Sequence, residues 1–215
     1  MIKNYKAVIF DMDGTLLDSM WVWPTLDRQF FENEKLDMPD NLLEEIQGLS
    51  MHEIAVYYLE HFPLDYSVEE LIQIWNDMAN EHYANNVTYK KGALSFLKHL
   101  KKNHYKLGIA TSNSRELVDI CDRRLLFTEY IDEMVTSGEV KKGKPHPDIY
   151  LKVAHKLGVR PEECLVFEDI PGGLLAAKRA GMDTCAVADE FSNHLKKEKQ
   201  QMATYFIESF EELLA

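Results

Sequence analysis

Two aspartates, Asp11 and Asp13, close the apolar run Ala7-Val8-Ile9-Phe10 and are followed at once by Gly14 and Thr15. At the end of a strand, residues i and i+2 point the same way, so the spacing predicts both carboxylates on one face where the chain leaves a sheet. Two carboxylates forced together repel, and one protonates unless a cation lies between them. A hard divalent cation with oxygen ligands, such as Mg²⁺, resolves that conflict. Gly14 permits a sharp backbone turn, and the Thr15 hydroxyl can hold the loop. Standing alone, the segment would read as a strand ending in a polar turn.

Three later segments supply what metal-assisted phosphoryl transfer needs. The run Tyr105 to Ala110 ends in Thr111-Ser112-Asn113. Hydroxyls and backbone N–H groups at a strand end before a helix can cradle a phosphate, although Thr111-Ser112 alone reads as an ordinary helix cap. Lys144 stands in Lys141-Lys142-Gly143-Lys144-Pro145-His146-Pro147, just ahead of a helical pattern, where an ammonium can neutralise phosphate and carboxylate charge. Lys141 and Lys142 read as solvated. Cys164-Leu165-Val166-Phe167 runs into Glu168-Asp169, a further apolar strand ending in carboxylates, and Pro171-Gly172-Gly173 opens the helix behind it.

The four segments together resemble the motifs of the haloacid dehalogenase superfamily, in the family's order and over the whole chain. Asp11-Met12-Asp13-Gly14-Thr15 matches the first motif, Thr111-Ser112-Asn113 the second, Lys144 before Pro145 the third, and Glu168-Asp169 the fourth. The sugar-phosphatase and β-phosphoglucomutase-like branch is the nearest in pattern. The resemblance implies a phosphatase that works through an aspartyl-phosphate, with Asp11 as nucleophile and Asp13 as general acid and base. It implies Mg²⁺ held by Asp11, the backbone carbonyl of Asp13 and Asp169, with Glu168 reaching it through water. Thr111, Ser112 or the N–H of Asn113, and Lys144 would hold the phosphoryl oxygens.

Within the superfamily, dehalogenases and phosphonate hydrolases lack an aspartate at the position of Asp13, so its presence favours phosphate esters. A β-phosphoglucomutase carries a histidine where Trp23 stands, an arginine after a Gly-x-Ser turn where Met51 follows Gly48-Leu49-Ser50, and a lysine and asparagine where Ser114 and Arg115 stand. These differences favour transfer to water over the mutase alternative. A catalytically silent binding module would require a lost nucleophile or metal ligand, and none is lost. Trp21 and Trp23 could stack on a sugar ring or belong to a helical core.

The elements that must position these residues follow from periodicity. After Asp18 the strand pattern stops for about 70 residues and helical faces take over, with Ser67-Val68-Glu69-Glu70 opening a long helix as a capping box. Pro24, Gly48, Pro39 and Pro63 punctuate this stretch. From Val87 strands and helices alternate: helix Leu94 to Lys101, strand from Lys106, helix Arg115 to Leu125, strand near Glu133, helix Asp148 to Leu157. Beyond Glu168 come strands Thr184 to Ala188 and Tyr205 to Ile207, and a helix opening at Ser209. This predicts an α/β fold, a doubly wound, Rossmann-like parallel sheet, with an inserted all-helical cap. The expected domains are a core of residues 1–17 and 88–215 and a cap of residues 18–87. Ligands of such sheets bind at the carboxyl ends of the strands, where all four motifs fall.

Composition narrows the partners. The 215 residues are 46% hydrophobic, enough for a buried core, and carry a net charge of −12. That charge argues against nucleic acid or an anionic membrane surface and leaves a small phosphorylated metabolite as the expected partner of a monomer. No apolar stretch is long enough to span a bilayer, and the first strand follows the amino terminus without a signal-peptide pattern. Cys121, Cys164 and Cys185 lack zinc-ligand spacing and read as buried free thiols of a cytoplasmic protein.

Overall fold

The computed structural model describes residues 2–46 and 51–214, so the Gly48-Leu49-Ser50 turn expected from the sequence lies outside the described residues. The chain divides into two compact units, Met1–Met20 with Val87–Ala215, and Trp21–Asn86.

Among the described residues, the first unit carries a six-stranded parallel sheet. Its strands are β1 (Ala7–Phe10), β4 (Lys106–Ala110), β5 (Glu133–Val135), β6 (Cys164–Glu168), β7 (Asp183–Val187) and β8 (Tyr205–Ile207), in the order β5-β4-β1-β6-β7-β8. A separate antiparallel pair, β2 (Leu17–Asp18) with β3 (Thr88–Tyr89), brackets the insertion. Every residue of β1 and of β6 is buried, as expected of strands covered on both faces. Alternation sorts their side chains. Ala7, Ile9, Cys164 and Val166 pack with helices α7 (Asp148–Leu157) and α8 (Pro171–Arg179). Phe10 and Phe167 point the other way and stack at 5.3 Å, joined by Phe96 of helix α5 (Ala93–Lys102) and by Phe210. Burying Phe or Ile side chains stabilises by about 1.5–3 kcal/mol each, so both faces of β1 are fixed and Asp11 emerges from a rigid base. Helices α6 (Arg115–Leu125) and α9 (Lys196–Met202) complete the unit. The element opening at Ser209 is a 3₁₀ turn, Phe210–Leu213, rather than an α-helix, although its Ser209/Glu212 capping box forms.

The second unit contains α1 (Val22–Glu34), α2 (Leu42–Glu45), α3 (Met51–His61) and α4 (Val68–Asn85). Its core includes Phe30, Phe31, Leu42, Ala55, Tyr58, Leu71 and Trp75. Ser67 caps α4 through the expected box: its hydroxyl accepts from the Glu70 N–H at 3.2 Å, and Glu70 accepts from the Ser67 N–H at 2.8 Å. Pro24 does not interrupt the chain as expected. It sits in the first turn of α1, where a missing N–H removes no helical bond. Trp21 and Trp23 are both half-buried and stand outside that core, and Trp21 packs edge-on against His82 at 5.4 Å.

Candidate active site

Parallel pairing of β1 with β4 and β6 brings the carboxyl ends of these three strands side by side. Asp11, Thr111 and Asp169 therefore emerge from one edge of the sheet, and Lys144 enters from the loop before α7. The Lys144–Pro145 peptide bond is cis.

Lys144 is the hub. Its side chain is 6% exposed, and its ammonium donates to Asp11 Oδ1 at 2.5 Å and to Glu168 Oε1 at 2.6 Å. Glu168 is fully buried and accepts three further bonds: from the Tyr150 hydroxyl at 3.1 Å, the Asp169 N–H at 2.8 Å and the Ile170 N–H at 3.1 Å. Gly173, in the first turn of α8, makes room for this carboxylate. On the other side, Gly14 has a left-handed φ of 72° and lies against Asp169, so close that a Cβ would stand 2.3 Å from Oδ2. Only glycine meets both demands. Thr15 donates its hydroxyl to Asp169 Oδ1 at 3.0 Å.

Asp13 faces a different set of partners. Ser19 donates to its Oδ1 at 2.6 Å and the Asn113 side-chain amide to its Oδ2 at 2.5 Å. The two aspartates thus do not share a strand face as the i, i+2 spacing predicts. β1 ends at Phe10, and Asp13 lies in the following turn, bridged to Leu17. Thr111 is buried, and its hydroxyl accepts from the Asn113 N–H at 3.1 Å. The Asn113 side-chain amide thus holds Asp13, while its N–H is bonded within the loop. Ser112 is exposed at the strand end. Ser114 caps α6, and Arg115 pairs along its own helix with Asp119 at 3.0 Å, which accounts for both without a phosphate. Lys141, Lys142 and His146 are exposed.

Electrostatics set Asp11 and Asp169 apart. Burial pushes the Asp11 carboxyl up to about 8; Lys144 pulls it down, while Glu168 and Asp13 push it up again. Burial, Glu168, Asp11 and Asp189 raise Asp169, opposed by the Thr15 hydroxyl. Burial works against the Lys144 charge, but Asp11 and Glu168 outweigh it and hold the ammonium above its ordinary range. Oxygens of Asp11, Glu168 and Asp169 lie within 4.8 Å of one another. Asp169 Oδ2 is buried and has no hydrogen-bond partner among the described residues. An orphaned carboxylate oxygen beside two more carboxylates fits a divalent cation, because one lysine cannot neutralise them.

No period or motif marks Ser19 or Tyr150, which stand behind the expected residues. The turn after Gly14 brings in Ser19, and the packing of α7 on the sheet brings in Tyr150.

Comparison with known proteins agrees with this geometry. A model of the haloacid dehalogenase-like hydrolases matches residues 8–187. A Drosophila melanogaster protein, provisionally named a pseudouridine-5′-phosphatase, is 33% identical over 97% of this chain and 91% of its own length. A phosphorylated carbohydrates phosphatase of Thermotoga maritima is 34% identical over 83% of this chain and 82% of its own. A solved structure from Thermotoga maritima, assigned provisionally as a β-phosphoglucomutase, superposes with a TM-score of 0.82 over 94% of both chains at 30% identity. Together with the carboxylate and lysine constellation at the strand ends, these matches establish that the chain belongs to the haloacid dehalogenase-like hydrolases.

Proposed function

We infer that this chain is a phosphatase that hydrolyses small phosphate monoesters, sugar phosphates and related metabolites foremost. The observation that carries this reading is the pairing of a buried nucleophile candidate with a separately held acid: Asp11 sits under Lys144, while Asp13 is gripped by Ser19 and Asn113. Relatives named for phosphorylated carbohydrates and for a nucleoside 5′-phosphate support the substrate class.

An Asp11 carboxylate oxygen attacks phosphorus, the ester P–O bond breaks, and the leaving alkoxide takes a proton from Asp13. Water then attacks the aspartyl-phosphate, gives its proton to Asp13, and releases phosphate with Asp11 restored. Asp13 must therefore alternate between acid and carboxylate. The Ser19 hydroxyl suits this, because it can donate to the carboxylate or rotate to accept from the acid. Lys144 lies where it can neutralise the transferring phosphoryl oxygens, and Ser112 and Thr111 shape the loop that would receive them. A divalent cation, Mg²⁺ in this reading, would be held by Asp11, Asp169, the Asp13 carbonyl and Glu168, and would supply the charge that lets a phosphate dianion approach a carboxylate. Positioning and neutralisation dominate a loose transition state of this kind.

We assign the helical insertion, residues 18–87, as the cap that selects the leaving group, since it begins at the Asp13–Ser19 turn and β2 pairs with β3 where the chain returns from it. Among the described residues no helix is long and apolar enough to cross a membrane. Three buried, unpaired cysteines fit a reducing compartment, and we place the protein in the cytoplasm.

The test is a panel of phosphorylated sugars and nucleoside 5′-phosphates, assayed for released phosphate with Mg²⁺. Turnover confined to one or a few members is expected; absence of phosphate release from every member overturns the reading.

A further inference from the structure

Behind Asp169 lies a buried lysine that the mechanism above does not use. Lys199, in α9, is fully buried although the helix around it is Lys-Lys-Glu-Lys-Gln-Gln-Met. Its ammonium donates to the carbonyl of Val187 at 3.1 Å and to the Ser192 hydroxyl at 2.7 Å. Ser192, also buried, donates in turn to the backbone carbonyl of Asp169 at 2.9 Å. The segment between β7 and α9 is itself pinned: Asp189 accepts from the Phe191 N–H at 2.9 Å and from the Lys90 ammonium at 2.8 Å.

Burying a lysine is expensive unless its charge and donors are answered. Burial lowers the Lys199 pKa, and the charges of Asp169, Asp189 and Glu168 act against that fall. The Thr15 hydroxyl holds Asp169 from the side chain; the Ser192 hydroxyl holds it from the main chain. The first sets where the unpartnered Oδ2 points, and the second anchors the backbone that carries it.

We propose that Lys199, acting through Ser192, is a positioning residue for Asp169: the relay Lys199–Ser192–Asp169 holds the aspartate in the orientation that binds the divalent cation. The proposal rests on the cation reading above and deepens it. Lys199 touches neither substrate nor the reacting atoms. Its donated hydrogen bond leaves the Ser192 hydroxyl proton free to point only at Asp169. Outer partners that orient metal ligands change metal affinity by about 10–100-fold when removed.

The experiment is calorimetric titration of Mg²⁺ into purified, chelator-stripped protein, comparing the unaltered chain with Ser192→Ala, Lys199→Met and the double variant. About tenfold weaker Mg²⁺ binding is expected in each single variant. The double variant should be no weaker than the singles, because two links of one relay are not additive. At saturating Mg²⁺, KM should stay within twofold of the unaltered chain. A lysine that only supports folding would lower Tm equally with and without Mg²⁺ and leave the affinity alone. Unchanged or tighter binding, or losses that multiply in the double variant, overturns the relay. Where Lys199→Met does not fold, Ser192→Ala decides alone. If the unaltered chain binds no Mg²⁺, the cation reading itself falls and takes the relay with it. If it binds and the variants match it, only the relay falls.

Discussion

Gly173 lies so close to Glu168 that a Cβ on the glycine would stand 1.7 Å from Oε1 and 2.0 Å from the carboxyl carbon. Glu168 cannot swing away, because Lys144, Tyr150 and two backbone N–H groups hold both its oxygens. Gly173→Ala should therefore displace either α8 or the carboxylate, at a cost of about 1–3 kcal/mol. Gly172, its neighbour in the same helix, has nothing within 4 Å of its own Cβ position. Gly172→Ala should leave stability unchanged or raise it by up to about 1 kcal/mol, through reduced freedom of the unfolded chain. Thermal unfolding of the two variants checks this, and equal Tm values would show that the Gly173 contact carries no cost.

Asp11→Asn should abolish turnover, by a factor on the order of 10⁴ or more, while the protein stays folded. The amide keeps the shape of the side chain but cannot form the phospho-enzyme. Lys144 keeps its second partner, Glu168, at 2.6 Å, so no buried ammonium is left unpaired. Phosphate release by pure variant, read beside its Tm, decides. Near-normal release from a folded Asp11→Asn chain would remove Asp11 as nucleophile.

Much of this was legible in the sequence, for identifiable reasons. β1 and β6 are short apolar runs that give way abruptly to acids, so their ends were readable to within a residue, and helices Arg115–Leu125 and Asp148–Leu157 have the predicted bounds. Motif order, with a parallel sheet, was enough to bring Asp11, Thr111, Lys144 and Asp169 to one edge. The partners of those residues were not legible. Ser19, Tyr150, Ser192 and Lys199 reach the site through turns and helix packing, and no local period marks a side chain by what lies beyond its own element. Lys199 is the sharpest case: nothing in the charged run Lys196-Lys197-Glu198-Lys199 marks its last residue as buried, yet it is fully so. The i, i+2 argument put Asp11 and Asp13 on one face, but the turn at Gly14 replaces strand alternation after Phe10, and Asp13 lies in that turn.

Mg²⁺ should stabilise the protein more at high pH than at low. The folded pKa of Asp11 lies near 8, raised from 3.8, and that of Asp169 is raised as well. Between those limits the folded chain holds protons that the unfolded chain has lost, so without added cation this part of its stability is present below about pH 4 and is lost as pH rises through 8. The cation needs the ionised carboxylates, so its binding releases those protons and strengthens over the same range. The Tm difference between Mg²⁺ and chelator should be larger at pH 8.5 than at pH 6. A difference that is equal, or smaller at pH 8.5, would show that the cation does not engage these carboxylates.

Water, rather than a second sugar hydroxyl, should take the phosphoryl group from Asp11. A mutase must keep its phospho-aspartate alive while a bisphosphate intermediate turns over, which needs polar groups that hold the second phosphate and restrain Asp13 from activating water. The positions where the resemblance would put those groups are otherwise engaged here. Ser114 accepts from the Leu117 N–H as the cap of α6, Arg115 is paired with Asp119, and Trp23 presents an indole in the first turn of α1. Asp13, held by Ser19 and Asn113, is already placed in the turn beside Asp11. The deciding measurement offers β-glucose 1-phosphate with a trace of the 1,6-bisphosphate and follows both products. Free phosphate should appear faster than glucose 6-phosphate. The reverse order would make the chain a mutase, and Ser114 and Arg115 would then have to leave their helix partners to serve the second phosphate.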